Sequence, residues 1–89
     1  MIKIYWDEGF TRNFKKFSKY HKDFKEKFFN RISLFEENPF HPILKTHKLS
    51  GRLSGSYAFS VDFKIRIIFD YADKESVILI DVGFHDDVY

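Results

Sequence analysis

The sequence predicts an α+β domain in the order β-α-α-β-β-β, with two N-terminal helices packed on one face of a small, mainly antiparallel sheet. Three observations carry this expectation. Phe10, Phe14 and Phe17, then Phe24, Phe28, Ile32 and Phe35, follow spacings of three, four and seven, the stripe of an amphipathic helix. Tyr57, Phe59, Val61 and Phe63 alternate with Ala58, Ser60 and Asp62, the pattern of a strand with one buried face. The β-branched runs IRIIF (65–69) and VILIDV (77–82) flank a polar break from Ala72 to Ser76 and read as an antiparallel hairpin.

Each element has a local cause. Ile2, Ile4 and Trp6 alternate with Lys3 and Tyr5, which predicts a short first strand. Asp7 or Glu8 then begins a helix, because a carboxylate in the first turn meets unpaired amides and the positive end of the helix dipole. The polar segment Lys19 to Asp23, which contains Tyr20 and His21, divides the helical region into 8–19 and 23–37, with one bent helix as the alternative. Asn38-Pro39 ends the second helix, since proline disfavours helical backbone in the residue before it. Residues 40–50, punctuated by Pro42, read mostly as loop, and Gly51 and Gly55 bracket a short strand or turn. In the hairpin, Ile65, Ile67, Phe69 and Tyr71 face one way and Arg66, Ile68 and Asp70 the other. The phenylalanine stripe covers the first face and leaves the second for function.

Composition narrows the classes. Eighty-nine residues make one domain, spanning 1–89, and a 44% hydrophobic content with twelve phenylalanines excludes a disordered tail. There is no cysteine, hence no disulfide or thiol chemistry. No stretch approaches the roughly 18 apolar residues of a membrane span, and the start lacks a signal-like pattern, so a soluble, cytoplasmic protein is expected. The net charge of +2 conceals an asymmetry: residues 1–55 carry twelve Lys and Arg against six Asp and Glu, whereas 56–89 carry three against seven. The excess concentrates in Arg12, Lys15, Lys16, Lys19, Lys22, Lys25, Lys27 and Arg31. Such a stripe suits a polyanion such as RNA, and a solvated helix face would read the same way.

The polar exceptions in the C-terminal hairpin carry the chemistry. Arg66 interrupts an apolar strand, and His85 and Tyr89 follow the second strand after Gly83. His47 stands in the loop region. Plain structural readings exist for each: Arg66 pairing with Asp70 or Asp62, His85 with the adjacent Asp86 and Asp87, and His47 as an ordinary loop residue. His21 and His41 sit in no motif. No histidine pair has the spacing that marks a metal site, and there is neither a phosphate-cradling glycine loop nor a patterned Ser or Cys nucleophile, so neither metal nor cofactor is expected.

The β-α-α-β-β-β order, HKLSG at 47–51, IRIIFDY with its Arg66, and the closing VGFHDDVY together resemble the RelE/ParE superfamily of bacterial toxins, above all its RelE and YafQ-like ribosome-dependent mRNA endonucleases. The resemblance implies a RelE-like fold and a type II toxin that cleaves mRNA in the ribosomal A site without metal. It further implies a cognate antitoxin as partner. His85 would be the principal acid or base, His47 the complementary one, Arg66 the stabiliser of charge on phosphate, and Tyr89 a stacking and hydrogen-bonding group. Histidine suits such work because imidazole exchanges protons near neutral pH, and arginine because its fork matches phosphate. Lys48, Lys64 and Arg52, with Lys15, Lys16, Lys19 and Lys22, would bind RNA. The sequence departs from the pattern at two places. The YafQ-like branch carries a His and an Asp where this chain has Ser60 and Lys64. A ParE-like gyrase inhibitor, or a catalytically inactive antitoxin-binding module, is the alternative.

Overall fold

A computed structural model describes residues 1–85. Its elements are β1 (Lys3–Trp6), α1 (Glu8–Tyr20), α2 (Phe24–Glu37), β2 (His47–Lys48), β3 (Tyr57–Ser60), β4 (Ile65–Asp73) and β5 (Ser76–Phe84). The strands form one sheet in the order β1-β5-β4-β3-β2. β1 runs parallel to β5, and every other pairing is antiparallel. This is the expected α+β arrangement, with β2 added inside the segment read as mostly loop. Among the described residues no helix is long and apolar enough to cross a membrane.

The helices begin and end where the sequence places their signals. Asp7 caps α1 by accepting the Gly9 amide at 2.9 Å. His21 then leaves helical geometry, at φ −132° and ψ 92°, so there are two helices and not one bent one. His21 has a packing role there: its ring lies 4.3 Å from that of Phe17 and 5.1 Å from that of Phe84. Asn38 closes α2 in extended backbone before Pro39, and its side chain accepts the Phe40 amide at 3.0 Å. The segment between Gly51 and Gly55 is a turn, with a short 3-10 helix at Gly51–Leu53.

The phenylalanine stripe becomes the core. Phe10, Phe14, Phe24, Phe28 and Phe35 are buried against Phe59, Ile67, Phe69, Val77 and Leu79 on the sheet. Trp6 remains partly exposed, yet its ring meets those of Phe10, Phe14 and Phe28 at 4.8–5.6 Å. One feature of β5 breaks strict alternation. Ile68 pairs with Asp81 but Phe69 with Leu79, so Ile80 is an extra residue, a bulge. The bulge lets Val77 and Leu79 before it, and Val82 and Phe84 after it, all join the helix-side core although Leu79 and Val82 are three apart.

Two expectations are corrected. β3 stops at Ser60, and Phe63, placed by its alternation on the buried face, is 86% exposed. The cause is Asp62, whose Oδ1 accepts the amides of Lys64 and Ile65 at 2.8 Å each and turns the chain before Phe63 can reach the core. The second sheet face is also not wholly open. Leu49, Ala58 and Ile68 form a small buried cluster there, with Leu53 and Ile80 packed on it, so the 49–53 segment covers the middle of that face.

Candidate active site

The site is built at the end of the sheet where β3 turns into β4. Arg66 is the second residue of β4, opposite Ser60 on β3 and Gly83 on β5. Because it alternates with the buried Ile65 and Ile67, its side chain lies on the face away from the helices. Its Nη1 donates to the carbonyl oxygens of Asp62 at 2.9 Å and Phe63 at 3.2 Å, with Ile65 at the longer 3.4 Å. The turn therefore holds one nitrogen of the guanidinium.

Neither carboxylate expected as an alternative partner takes Arg66. Asp70 accepts the Ser56 hydroxyl, and the Asp62 carboxylate is occupied by two amides and by Lys27 Nζ at 3.3 Å. Burial alone would push the Asp62 carboxyl up, but donation from the Ile65 and Lys64 amides, together with the Lys27 ammonium, outweighs it and holds the group below its ordinary value. Among the described residues the Arg66 charge is thus opposed by backbone carbonyls and by no carboxylate.

His85 reaches the same place from β5. Its amide donates to the Lys64 carbonyl at 2.8 Å, which continues the β4–β5 ladder one step beyond the Ile65–Phe84 pair. An open cleft of about 650 Å³ results, lined by Phe63, Lys64, Arg66, Phe84 and His85. Phe84 forms its apolar wall and is braced by Phe17 at 5.3 Å. A second hollow of about 420 Å³ adjoins it, lined by Arg31, Ile43, Lys45, Ser60 and Asp62 and sharing Phe63 and Arg66 with the first.

The structure thus brings Arg66, His85 and Lys64 together and separates them from the other described candidates. His47 pairs with Ala58, which pairs with Ile68, so it shares a face with Arg66 but lies two strands away and two residues out of register. Ideal sheet spacings put their Cα atoms about 12 Å apart. The His47 Nδ1 lies 3.0 Å from the Lys45 carbonyl, which can only accept, so that nitrogen donates. Lys48 pairs with Tyr57 and belongs to the opposite face from His47. Arg52 is exposed in the 3-10 turn. Lys15 and Lys19 border a hollow with Trp6, Phe14 and Lys25, Lys16 borders another with Tyr20 and His21, and Lys22 lies in the α1–α2 turn. None of these basic residues lines the cleft. Tyr89 lies outside the described residues, as do Asp86 and Asp87.

Sequence reasoning missed Phe63 and Lys45. The signal for Phe63 was Asp62, a turn-forming residue inside an apparently regular alternation. Lys45 has a left-handed backbone, φ 52°, which nothing in its residue type announces.

No model of a known protein family matches the chain, and neither does any curated protein sequence. Solved structures do. YafQ from Escherichia coli strain BL21(DE3) superposes with a TM-score of 0.81 at 20% identity, over 100% of this chain and 99% of that one. The Escherichia coli DinJ–YafQ complex gives 0.79 at 20% identity, with coverage of 100% and 99%. The heterotetrameric YoeB–YefM toxin–antitoxin complex of Staphylococcus aureus gives 0.73 at 19% identity, over 96% of this chain and 98% of that one. At such identities the likeness is one of fold, and it extends over nearly the whole chain. The protein has the RelE/YafQ-like toxin fold.

Proposed function

We propose that this chain is the toxin of a type II toxin–antitoxin pair and a ribosome-dependent endoribonuclease that cuts mRNA in the A site without metal. The observation that carries the reading is the convergence of Arg66, His85 and Lys64 in one open cleft on a fold shared with YafQ and YoeB. Cleavage of this kind needs three things: an acceptor for the proton of the 2′-hydroxyl as it attacks, compensation for charge gathering on phosphate, and a proton for the departing 5′-oxygen. Arg66 supplies the second, with Lys64 beside it. His85 is the proton-transfer group at the phosphate: its imidazole takes the 2′-hydroxyl proton as the bond from O2′ to phosphorus forms and that to O5′ breaks, and the imidazolium returns the proton to the departing 5′-oxygen, leaving a 2′,3′-cyclic phosphate. His47, on the same face but outside the cleft, contacts the RNA strand on either side. Tyr89 is assigned to base stacking. The basic residues of α1 hold ribosomal RNA, and the partner is an antitoxin with an acidic segment that covers this basic surface in the cytoplasm.

The test is induced expression in a bacterium of the wild type beside His85→Ala and Arg66→Ala, with primer extension on a translated and an untranslated copy of one mRNA. Cuts confined to the translated copy and lost in both variants are expected. Growth arrest with intact mRNA would transfer the reading to a gyrase inhibitor, and harmless expression of folded protein to an inactive antitoxin-binding module.

A further inference from the structure

Phe63 is the most exposed phenylalanine of the chain, at 86%, against 50% and 53% for Phe29 and Phe40. It does not sit on a slack loop. The preceding Asp62 fixes the amides of Lys64 and Ile65, Lys27 ties Asp62 to α2, and the Phe63 carbonyl itself accepts from Arg66 Nη1 at 3.2 Å. The backbone of the exposed ring is therefore bonded directly to the proposed phosphate-binding group.

Phe63 also lines two hollows that carry cations among their described residues: Lys64, Arg66 and His85 in one, and Arg31, Lys45 and again Arg66 in the other. Among the described residues the carboxylate in this surround is that of Asp62, and it is taken by Lys27 and two amides. An aromatic face set among cations is how single-stranded nucleic acid is held: phosphates meet the charges, and bases stack on the ring. An apolar peptide would meet Ile43 beside Phe63 but would also have to desolvate the cations, which favours the polyanion.

We propose that Phe63 is the stacking platform for a nucleobase of the single-stranded RNA substrate, the base adjacent to the phosphate that Arg66 holds. The proposal rests on the nuclease reading and adds a residue to it. A phenyl ring carries neither donor nor acceptor, so it grips the face of a base and not its edge. It raises affinity for all four bases alike and leaves sequence preference to other groups.

Two measurements test this. In ribosome-dependent cleavage, Phe63→Ala is expected to raise KM about five- to a hundredfold, the loss of one stacked base, with kcat within about twofold of wild type. Phe63→Leu, apolar but without a π-face, should behave like Phe63→Ala, whereas Phe63→Trp should restore wild-type KM. Thermal midpoints should stay together, since the ring buries little. Independently, the fluorescence of Phe63→Trp should be quenched by a single-stranded oligoribonucleotide made uncleavable by a 2′-deoxy nucleotide at the scissile position, beyond the response of wild type through Trp6. Quenching in a protein whose wild type cuts no mRNA would uphold the platform while removing the nuclease. A wild-type enzyme that cuts, with Phe63→Ala unchanged in KM, would overturn the platform and keep the nuclease. Unchanged cleavage joined to failed inhibition by the co-expressed partner would overturn it too and give Phe63 to a protein interface.

Discussion

At the scale of single residues, Arg66 is asked to do two things at once. Its Nη1 is held by the carbonyls of Asp62 and Phe63, and the proposed function assigns the rest of the fork to phosphate. Lysine has the charge but one nitrogen for both tasks. Arg66→Lys is therefore expected to fold as wild type and to lose at least about tenfold in single-turnover cleavage, and Arg66→Ala about a hundred- to a thousandfold, the usual loss for an electrostatic donor at a reacting centre. Equal rates for Arg66→Lys and wild type would show that point charge suffices and that the carbonyl clamp is incidental. Arg66 stood out in the sequence because a charge interrupts the apolar run IRIIF, and its structural reading, a pairing with Asp70 or Asp62, falls only once both carboxylates are seen engaged elsewhere. Phe63 did not stand out, because its alternation with Tyr57, Phe59 and Val61 is what a buried strand residue would show. Only the hydrogen bonds of Asp62 reveal that the strand has already ended.

At the scale of elements, the β3–β4 turn is the part whose chemistry reaches the site, and Asp62 is its organiser. Its carboxyl lies below the ordinary 3.8 because amide and ammonium donors to the charged form outweigh the opposing effect of burial. A group depressed in the folded state stabilises above its unfolded pKa, and that contribution is lost as pH falls through the folded value. The turn should thus be intact at neutral pH and weaken only below about pH 3.8. Asp62→Asn, which keeps one acceptor oxygen and removes the charge, is expected to cost about 1 kcal/mol in urea unfolding at pH 7. The gap to wild type should close as the pH is lowered below 3.8; a gap independent of pH would mean that the charge of Asp62 contributes nothing. The boundaries of both helices were legible for similar reasons, since caps and Pro39 act locally. The β5 bulge was not. VILIDV reads as one continuous apolar strand, and the need for an extra residue arises only because Ile80 must cover Ala58 and Ile68 while Asp81 accepts from Asn13 on α1 at 2.9 Å. Those partners are far away in sequence.

At the scale of the whole molecule, the two sheet faces divide the work. The helix side holds the phenylalanine core, and the other side is covered in its middle by the 49–53 segment, which among the described residues leaves the cleft at one end of the sheet, around Arg66 and His85. The basic excess of the N-terminal half lies largely outside that opening. Lys15 and Lys19 border a hollow beside Trp6 and Phe14 and do not line the cleft of Arg66 and His85. Under the proposed function α1 docks on ribosomal RNA, and these charges set how tightly the protein binds and not how fast it cuts. Removing one ammonium from a phosphate lowers the dependence of log affinity on log salt by about 0.7 to 0.9. The double substitution Lys15→Glu with Lys19→Glu is therefore expected to weaken ribosome association at least about tenfold at moderate salt and to reduce the salt slope by about 1.5, with the cleavage rate at saturating ribosomes unchanged. An unaltered salt slope would return the stripe to the reading of a solvated helix face. A fall in the saturating rate would instead require α1 to position the cleft, through Phe17 and its packing against Phe84.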